Sequence, residues 1–386
     1  MYEIKTYNKI SPVGLSLFDK EKYAISDQTE APVGAIVRSA ALHEEVFPAS
    51  LLAIARAGAG TNNIPIARCS EEGIVVFNTP GANANAVKEL VLAGLFISSR
   101  KIIPAIEWAK TLKGNGDAIG KMVEKGKSAF AGPEIKGKKL GVLGLGAIGV
   151  MVSNIAYELG MEVYGYDPYL SIKNAWNLSR NVHASTMEEI FAECDYITIH
   201  IPLNPNTKDM INAKTLATMK DGVRILNFAR DGLVNDADMI EALANGKVAA
   251  YVVDFPTDAM LGVEGVICIP HLGASTPESE DNCAVMAAEE LMDYIENGNI
   301  TNSVNLPDIS MSRSTALRIC VLHKNIPNML TSITAALAKD NVNIEHLMNK
   351  SKGDFAYTIL DVNECNQESV FSHICAVDGI IRVRMI

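Results

Sequence analysis

The feature that most narrows the folds open to this chain is a glycine run set between an apolar strand and a helix. Lys139–Leu143 reads as a strand and Gly144-Leu145-Gly146-Ala147-Ile148-Gly149 follows at once. A helical pattern then runs to Leu159, and a second strand, Glu162–Tyr166, ends on Asp167. A G-x-G-x-x-G match alone says little, because glycines are common; in this strand-turn-helix-strand setting it is specific. Gly144 permits the tight turn, Gly146 lets backbone approach a pyrophosphate, and Gly149 lets helix and strand pack closely. The opening residues of the helix, Ala147 and Ile148, lie where helix N-termini hold phosphates. Asp167 stands where a carboxylate accepts ribose hydroxyls and repels the extra phosphate of NADP, so the expected cofactor is NAD.

The same alternation extends in both directions. Downstream, YITIHIP (196–202), VRILNFA (223–229), AAYVVDF (249–255) and VICIPH (266–271) are separated by helical patterns. With the first two strands they make six strands of a doubly wound parallel sheet. Upstream, AIVRS, LLAIARAGAG and GIVVFNTP repeat the rhythm from Ala35, and one long helical pattern spans Ala84 to about Leu112. A Gly- and Lys-rich stretch, 113–138, reads as loop or short helices. Pro277–Asn297 is a helix with Glu278 near its start and Asn297-Gly298 after its end. Beyond Leu306-Pro307 a polar linker leads into a βαββαβ order, the ferredoxin-like topology. The expected architecture is α/β in three parts: a Rossmann NAD domain (87–277) inserted in a flavodoxin-like substrate domain (1–86 and 278–308), then a small C-terminal domain (315–386).

Composition removes several classes of function. The net charge of -11, with no dense basic block, repels a nucleic-acid backbone. Stretches such as Leu140–Leu145 fall far below the roughly 18 apolar residues of a membrane span, and Met1–Lys9 lacks a basic segment followed by an apolar run, so a cytoplasmic location is expected. The seven cysteines show no C-x-x-C and no zinc-ligand spacing, which reads as reduced thiols and no metal site.

Two residues stand out at the carboxyl ends of strands, where open α/β sheets bind ligands: Arg230 after Val223–Phe228, and His271 after Val266–Ile269 and Pro270. The stretches IPLNPNTKDMIN (201–212), ILNFARDGLVND (225–236) and IPHLGAST (269–276) occur in one order. On them the chain through Pro307 resembles the D-isomer-specific 2-hydroxyacid dehydrogenases, a family that includes phosphoglycerate, glycerate, formate and D-lactate dehydrogenases. The resemblance implies that Arg230 grips the substrate carboxylate and that His271 is the acid/base, imidazole being the side chain that gains and loses a proton near neutral pH. It extends the cofactor contacts to Pro202, Ala229 and Asp254.

Relatives pair this histidine with a Glu on a preceding loop. Here the loop is shorter and carries Asp258 in a Pro-Thr-Asp slot, so Asp258 is the expected partner, with Asp254 and Glu264 left open. Asp231 also departs from the Gly of most relatives. On the substrate side, the phosphoglycerate dehydrogenases of the family bind phosphate through a similar Arg-Ser pair, which implies Arg38 and Ser39 as phosphate ligands and 3-phosphoglycerate as substrate. Ala59 and Gly60 would offer backbone amides to the carboxylate, and Asn83 opens the stretch lining the cleft. A glycerate or hydroxypyruvate reductase, and a non-catalytic NAD-sensing protein, are the competing readings.

The segment VLHKNIPNMLTSITAALAKDNVNI (321–344) resembles an ACT domain, an amino-acid-binding module. By that resemblance His323, Asn325 and Asn343 contact an effector, with L-serine the natural one, and Asn328 replaces a turn glycine. An unpaired sheet edge in such a module implies a homodimer or homotetramer.

Overall fold

The computed structural model describes residues 1–386, and backbone contacts divide them into two units: 1–83 with 277–386, and 84–276. The chain opens with β1 (Tyr2–Tyr7), α1 (Pro12–Leu15), β2 (Tyr23–Ser26), β3 (Gly34–Val37), β4 (Ala53–Arg56), α2 (Ile66–Glu71) and β5 (Val75–Asn78). These strands form one parallel sheet in the order β2-β1-β3-β4-β5, the flavodoxin-like arrangement. β1 and β2 lie outside the three strands read from sequence. β1 interrupts its apolar residues with Glu3, Lys5 and Thr6, and β2 is only four residues long with a single buried side chain, Tyr23, so neither offers a continuous apolar run.

The second unit begins with α3 (Ala84–Ser99), α4 (Ile102–Thr111) and α5 (Ile119–Gly126). The single long helix expected over 84–112 is thus broken. Lys101 takes a left-handed conformation (φ 37°), and the Ser98 and Ser99 hydroxyls turn back to the Leu95 carbonyl at 3.0 and 2.7 Å, a pattern that weakens a helix end. Then follow β6 (Lys139–Leu143), α6 (Ala147–Glu158), β7 (Glu162–Tyr166), α7 (Ile172–Asn177), β8 (His183–Ala184), α8 (Met187–Glu193), β9 (Tyr196–Ile199), α9 (Ala213–Thr218), β10 (Val223–Asn227), α10 (Asp236–Ala244), β11 (Val248–Val253) and β12 (Val266–Cys268). The sheet is parallel, in the order β12-β11-β10-β9-β6-β7-β8, with β6 beside β9 at the point where strand order reverses. Two-residue β8 is the strand that sequence reading lacked; it carries no apolar run.

The chain returns to the first unit with α11 (Pro277–Asn297), whose Ala284, Ala287, Ala288 and Leu291 pack on the first sheet. The contact of α11 with α1 is close: a Cβ on Gly14 would come within 2.4 Å of the Ala284 backbone. The C-terminal part is β13 (Leu317–Lys324), α12 (Met329–Ala338), β14 (Ile344–Lys352), β15 (Phe355–Val362), α13 (Gln367–Cys375) and β16 (Ile380–Met385), an antiparallel sheet ordered β14-β15-β13-β16. One face (Ile319, Val321, Leu360) is covered by α12 and α13; the other (Cys320, Leu322, Tyr357, Ile359) joins the apolar core around Tyr294 and Ile295 of α11.

Guanidiniums from this sheet satisfy the last carbonyls of α11. Arg318 donates to Asn297 (2.9 Å), and Arg384 donates to Tyr294 (2.9 Å) and Ile295 (2.7 Å). Arg318 is in turn held by Asp361 at 2.6 and 3.0 Å, both side chains fully buried, and Asp361 takes two further bonds from Ser314. No helix is long and apolar enough to cross a membrane, and all seven cysteines are free thiols.

Candidate active site

The turn after β6 owes its shape to residues without side chains. Gly144 has φ 92°, and a Cβ there would meet the His200 carbonyl at 2.6 Å; one on Gly149 would meet the Gly144 carbonyl at 1.9 Å. Gly146 has nothing within 4 Å of where its Cβ would point and caps α6 without a side-chain hydrogen bond. The result is an open, amide-lined cradle at a helix N-terminus, starting at Ala147 and Ile148, which fits a pyrophosphate. Asp167 pins it: Oδ2 accepts from the Leu145 amide and Oδ1 from the Tyr169 amide, each at 2.8 Å. Pro202 is exposed in the loop after β9, its carbonyl tied by the Thr207 hydroxyl at 2.8 Å. Next to this turn is His200, which sequence reasoning missed because a lone His in YITIHIP carries no spacing signal. Its Nε2 meets the Thr198 hydroxyl at 2.9 Å, its Nδ1 has no partner, and burial pushes the imidazole down to about 4, so it is neutral.

Arg230 is presented by a turn that Asn227 builds. The Asn227 amide donates to the Arg230 carbonyl (2.9 Å), its oxygen accepts from the Ala229 amide (3.1 Å), and Gly232 (φ 77°) reverses the chain. The guanidinium is exposed, donates to the Ala229 carbonyl and makes no ion pair, with Asp231 included. Asn227 was a second omission; an Asn at the end of an apolar strand, before a Gly-containing turn, was its available signal.

His271 follows β12 at φ 31°. Its amide donates to the Asp254 and Ile269 carbonyls (2.9 and 3.0 Å), and its exposed ring lies against Phe255 at 4.5 Å. Asp258, expected to pair with it, is exposed and makes no hydrogen bond or ion pair to it, and Glu264 is likewise exposed. The carboxylate that feels the imidazole is Asp254, at the end of β11 and 1% exposed. Burial pushes its carboxyl up, opposed by His271, the Gly273 amide and Arg230; one of its oxygens, Oδ1, has no partner. A residue read from sequence as a cofactor contact therefore sits electrostatically between the two proposed reactive side chains. The reason is geometric: Asp254 ends the strand, whereas Asp258 lies four residues out in the loop.

In the first unit, Arg38 lies at the end of β3, its guanidinium 2.8 Å from Glu280 of α11; Ser39 is exposed, with its amide bonded to Asn8 (3.3 Å). The Ala59 carbonyl accepts from Asn78 (2.6 Å), Gly60 follows in the same half-buried turn, and Asn83 is half-buried before α3. Arg56, missed because it reads as part of strand β4, donates from Nε to the Arg38 carbonyl (3.2 Å) and overhangs the Gly58 turn. In the C-terminal sheet, Asn325 and Asn343 are exposed and Asn328 takes the left-handed conformation (φ 69°). His323 differs from the expectation of an effector contact. It is 2% exposed, with Nδ1 donating to the Lys324 carbonyl (2.8 Å) and Nε2 against the Thr358 hydroxyl (2.9 Å), so both nitrogens are used inside the sheet.

A family model described as the NAD-binding domain of D-isomer specific 2-hydroxyacid dehydrogenases matches residues 94–273. The D-3-phosphoglycerate dehydrogenase of Escherichia coli is 31% identical over 360 residues, covering 89% of this chain and 84% of that protein. That of Haemophilus influenzae is 30% identical over 339 residues, covering 85% and 79%. The chain belongs to the D-isomer-specific 2-hydroxyacid dehydrogenases. As a member of that family it is an NAD-dependent dehydrogenase acting on a CH–OH group. Among solved structures, NAD+-bound 3-phosphoglycerate dehydrogenase of Entamoeba histolytica superposes with a TM-score of 0.61 at 26% identity, over 79% of this chain and 98% of that one. D-2-hydroxyisocaproate dehydrogenase shares the fold with a TM-score of 0.63 at 20% identity, over 78% and 99%.

Proposed function

We propose that this dehydrogenase oxidises D-3-phosphoglycerate to 3-phosphohydroxypyruvate, the first step of serine biosynthesis. The observation that carries the reading is the pair of guanidiniums, Arg38 and Arg56, at adjacent strand ends. Such a pair offers a dianionic phosphate two charge-assisted partners, in a chain that is 31% identical to the D-3-phosphoglycerate dehydrogenase of Escherichia coli over 89% of its length. Ser39 adds a hydroxyl at the phosphate, while Ala59 and Gly60 offer amides and Asn83 an amide side chain to the rest of the substrate.

NAD, when bound, supplies the nicotinamide carbon that takes the hydride. Gly144, Gly146, Ala147, Ile148 and Gly149 hold its phosphates, Asp167 its ribose, and Pro202, Ala229 and Asp254 its remaining length. Arg230, unpaired and exposed, grips the substrate carboxylate and polarises the reacting carbon–oxygen bond. His271 takes the proton of the C2 hydroxyl during oxidation and returns it during reduction. Asp254, the buried acid on which His271 acts electrostatically, supports that transfer; Asp258 has no part in it.

The domain limits that go with this reading are 1–86 with 278–308 for substrate, 87–277 for NAD, and 315–386 for an ACT-like regulatory domain with L-serine as effector, read by exposed Asn325 and Asn343 rather than by His323. Helices α4 and α5 bury none of their own residues and expose Ile102, Ile103, Ile106, Ile119, Met122 and Val123, an apolar surface that suits a homodimer or homotetramer. The test is NADH formation from D-3-phosphoglycerate beside D-glycerate, with and without L-serine. Preference for the phosphorylated acid is expected, and preference for glycerate would overturn the reading. A rate that ignores serine would remove the regulator.

A further inference from the structure

Arg38 is not idle in the structure. Its Nη2 lies 2.8 Å from Oε1 of Glu280, the fourth residue of α11, with the two side chains 38% and 43% exposed. The neighbouring acid, Asp281, is committed to the Ser11 hydroxyl at 2.5 Å, while Glu280 is the α11 carboxylate paired with Arg38. The Arg38 backbone is meanwhile fixed by Arg56, whose Nε donates to its carbonyl, and by the in-register pairing of Val37 with Arg56. The guanidinium can therefore change partner without its backbone moving.

We propose that Glu280 is an internal competitor for the remote anionic group of the substrate. It occupies Arg38 when no substrate anion is present and must give way when a phosphate arrives. The inference rests on the reading of Arg38 as the phosphate ligand. An exposed Arg–carboxylate pair is weak in water, so a dianion displaces it readily. The displaced carboxylate stays on the helix, close to the incoming charge, and so weakens phosphate binding. A substrate with a neutral hydroxymethyl tail leaves the pair intact and meets neither penalty. Glu280 thus sets how tightly the phosphorylated acid and its phosphorylated product are held, and returns to Arg38 as the product departs.

The experiment compares wild type, Arg38→Ala, Glu280→Gln and the double variant. KM and kcat are measured for D-3-phosphoglycerate and D-glycerate, and inorganic phosphate is titrated as a competitive inhibitor. Glu280→Gln is expected to lower the ratio of KM for phosphoglycerate to KM for glycerate by roughly two- to fivefold, the equivalent of one exposed ion pair, and to tighten inhibition by phosphate. In the Arg38→Ala background the same change should do nothing. If Arg38→Ala leaves the KM for phosphoglycerate untouched, the assignment of Arg38 to the phosphate fails, and the inference with it. If Arg38→Ala raises that KM but Glu280→Gln leaves the ratio unchanged or also raises it, Glu280 merely orients Arg38 and the competitor is overturned while the assignment survives.

Discussion

Two buried aspartates in this molecule end up in opposite states. Asp361, in the C-terminal sheet, has both oxygens bonded: Arg318 binds bidentately, and the Ser314 amide and hydroxyl complete the set. Arg318 in turn donates from Nη1 to the end of α11. Asp254, in the NAD unit, is as deeply buried, yet Oδ1 has no partner and its nearest charges, His271 and Arg230, are exposed. A fully paired buried ion fixes one element on another; a half-paired buried carboxyl is left in a costly state that only a ligand or a proton can relieve.

The comparison can be broken most directly at His271. His271→Asn should lower kcat about a thousandfold, the scale of a lost general acid/base, with NADH binding, read by fluorescence titration, retained. Loss of NADH binding instead would mean that the residue is structural. Next in size is Asp361→Ala, which strands a buried guanidinium and should cost about 3–5 kcal/mol in chemical denaturation; a loss under about 1 kcal/mol would show that water reaches the seam.

A third carboxylate sharpens the rule. Glu290 of α11 is 8% exposed and also has an unpaired oxygen, but its surroundings are the Asn302 amide (2.7 Å) and the acids Asp308 and Glu289, with no cation. Burial, reinforced by those acids, pushes it up to about 8. The folded protein therefore holds a proton that the unfolded chain has lost. The stability this group contributes is full below its unfolded value, near 4.5, and is lost as pH rises through about 8. Glu290→Gln should flatten that decline and raise the melting temperature at pH 8 by several degrees, at roughly 2–4 °C per kcal/mol, with little change at pH 5 and none in turnover. A drop in kcat would move Glu290 into the class of Asp254. Smallest of all, Asp258→Asn should alter kcat/KM by less than about twofold, as an exposed substitution does; a tenfold loss would restore it as the partner of His271.

The parts of this design that the sequence disclosed are those with a single physical solution. No residue but glycine fits at 144 or 149, so the cradle and the strands around it could be read directly. Arg230 and His271 stood at strand ends, where the residue type itself is informative. What stayed hidden depended on contacts distant in sequence. Asp254 and Asp258 are both acids on the way to His271, and only the strand end separates them. His323 matched an effector motif, yet Thr358, 35 residues on, turns it inward. Arg56 looked like a strand residue until its side chain was seen over the Gly58 turn. The long helix seemed continuous because Lys101 is a good helix former by propensity, and its left-handed backbone has no mark in composition.

His271 holds one more consequence. At φ 31° it occupies a conformation that an ordinary side chain adopts at a cost of order 1–3 kcal/mol, and asparagine tolerates that region far better. His271→Asn, the variant expected to slow turnover, should therefore melt higher than the native protein. Under the proposed acid/base role, the strained seat of His271 is then a stability cost that accompanies the chemistry.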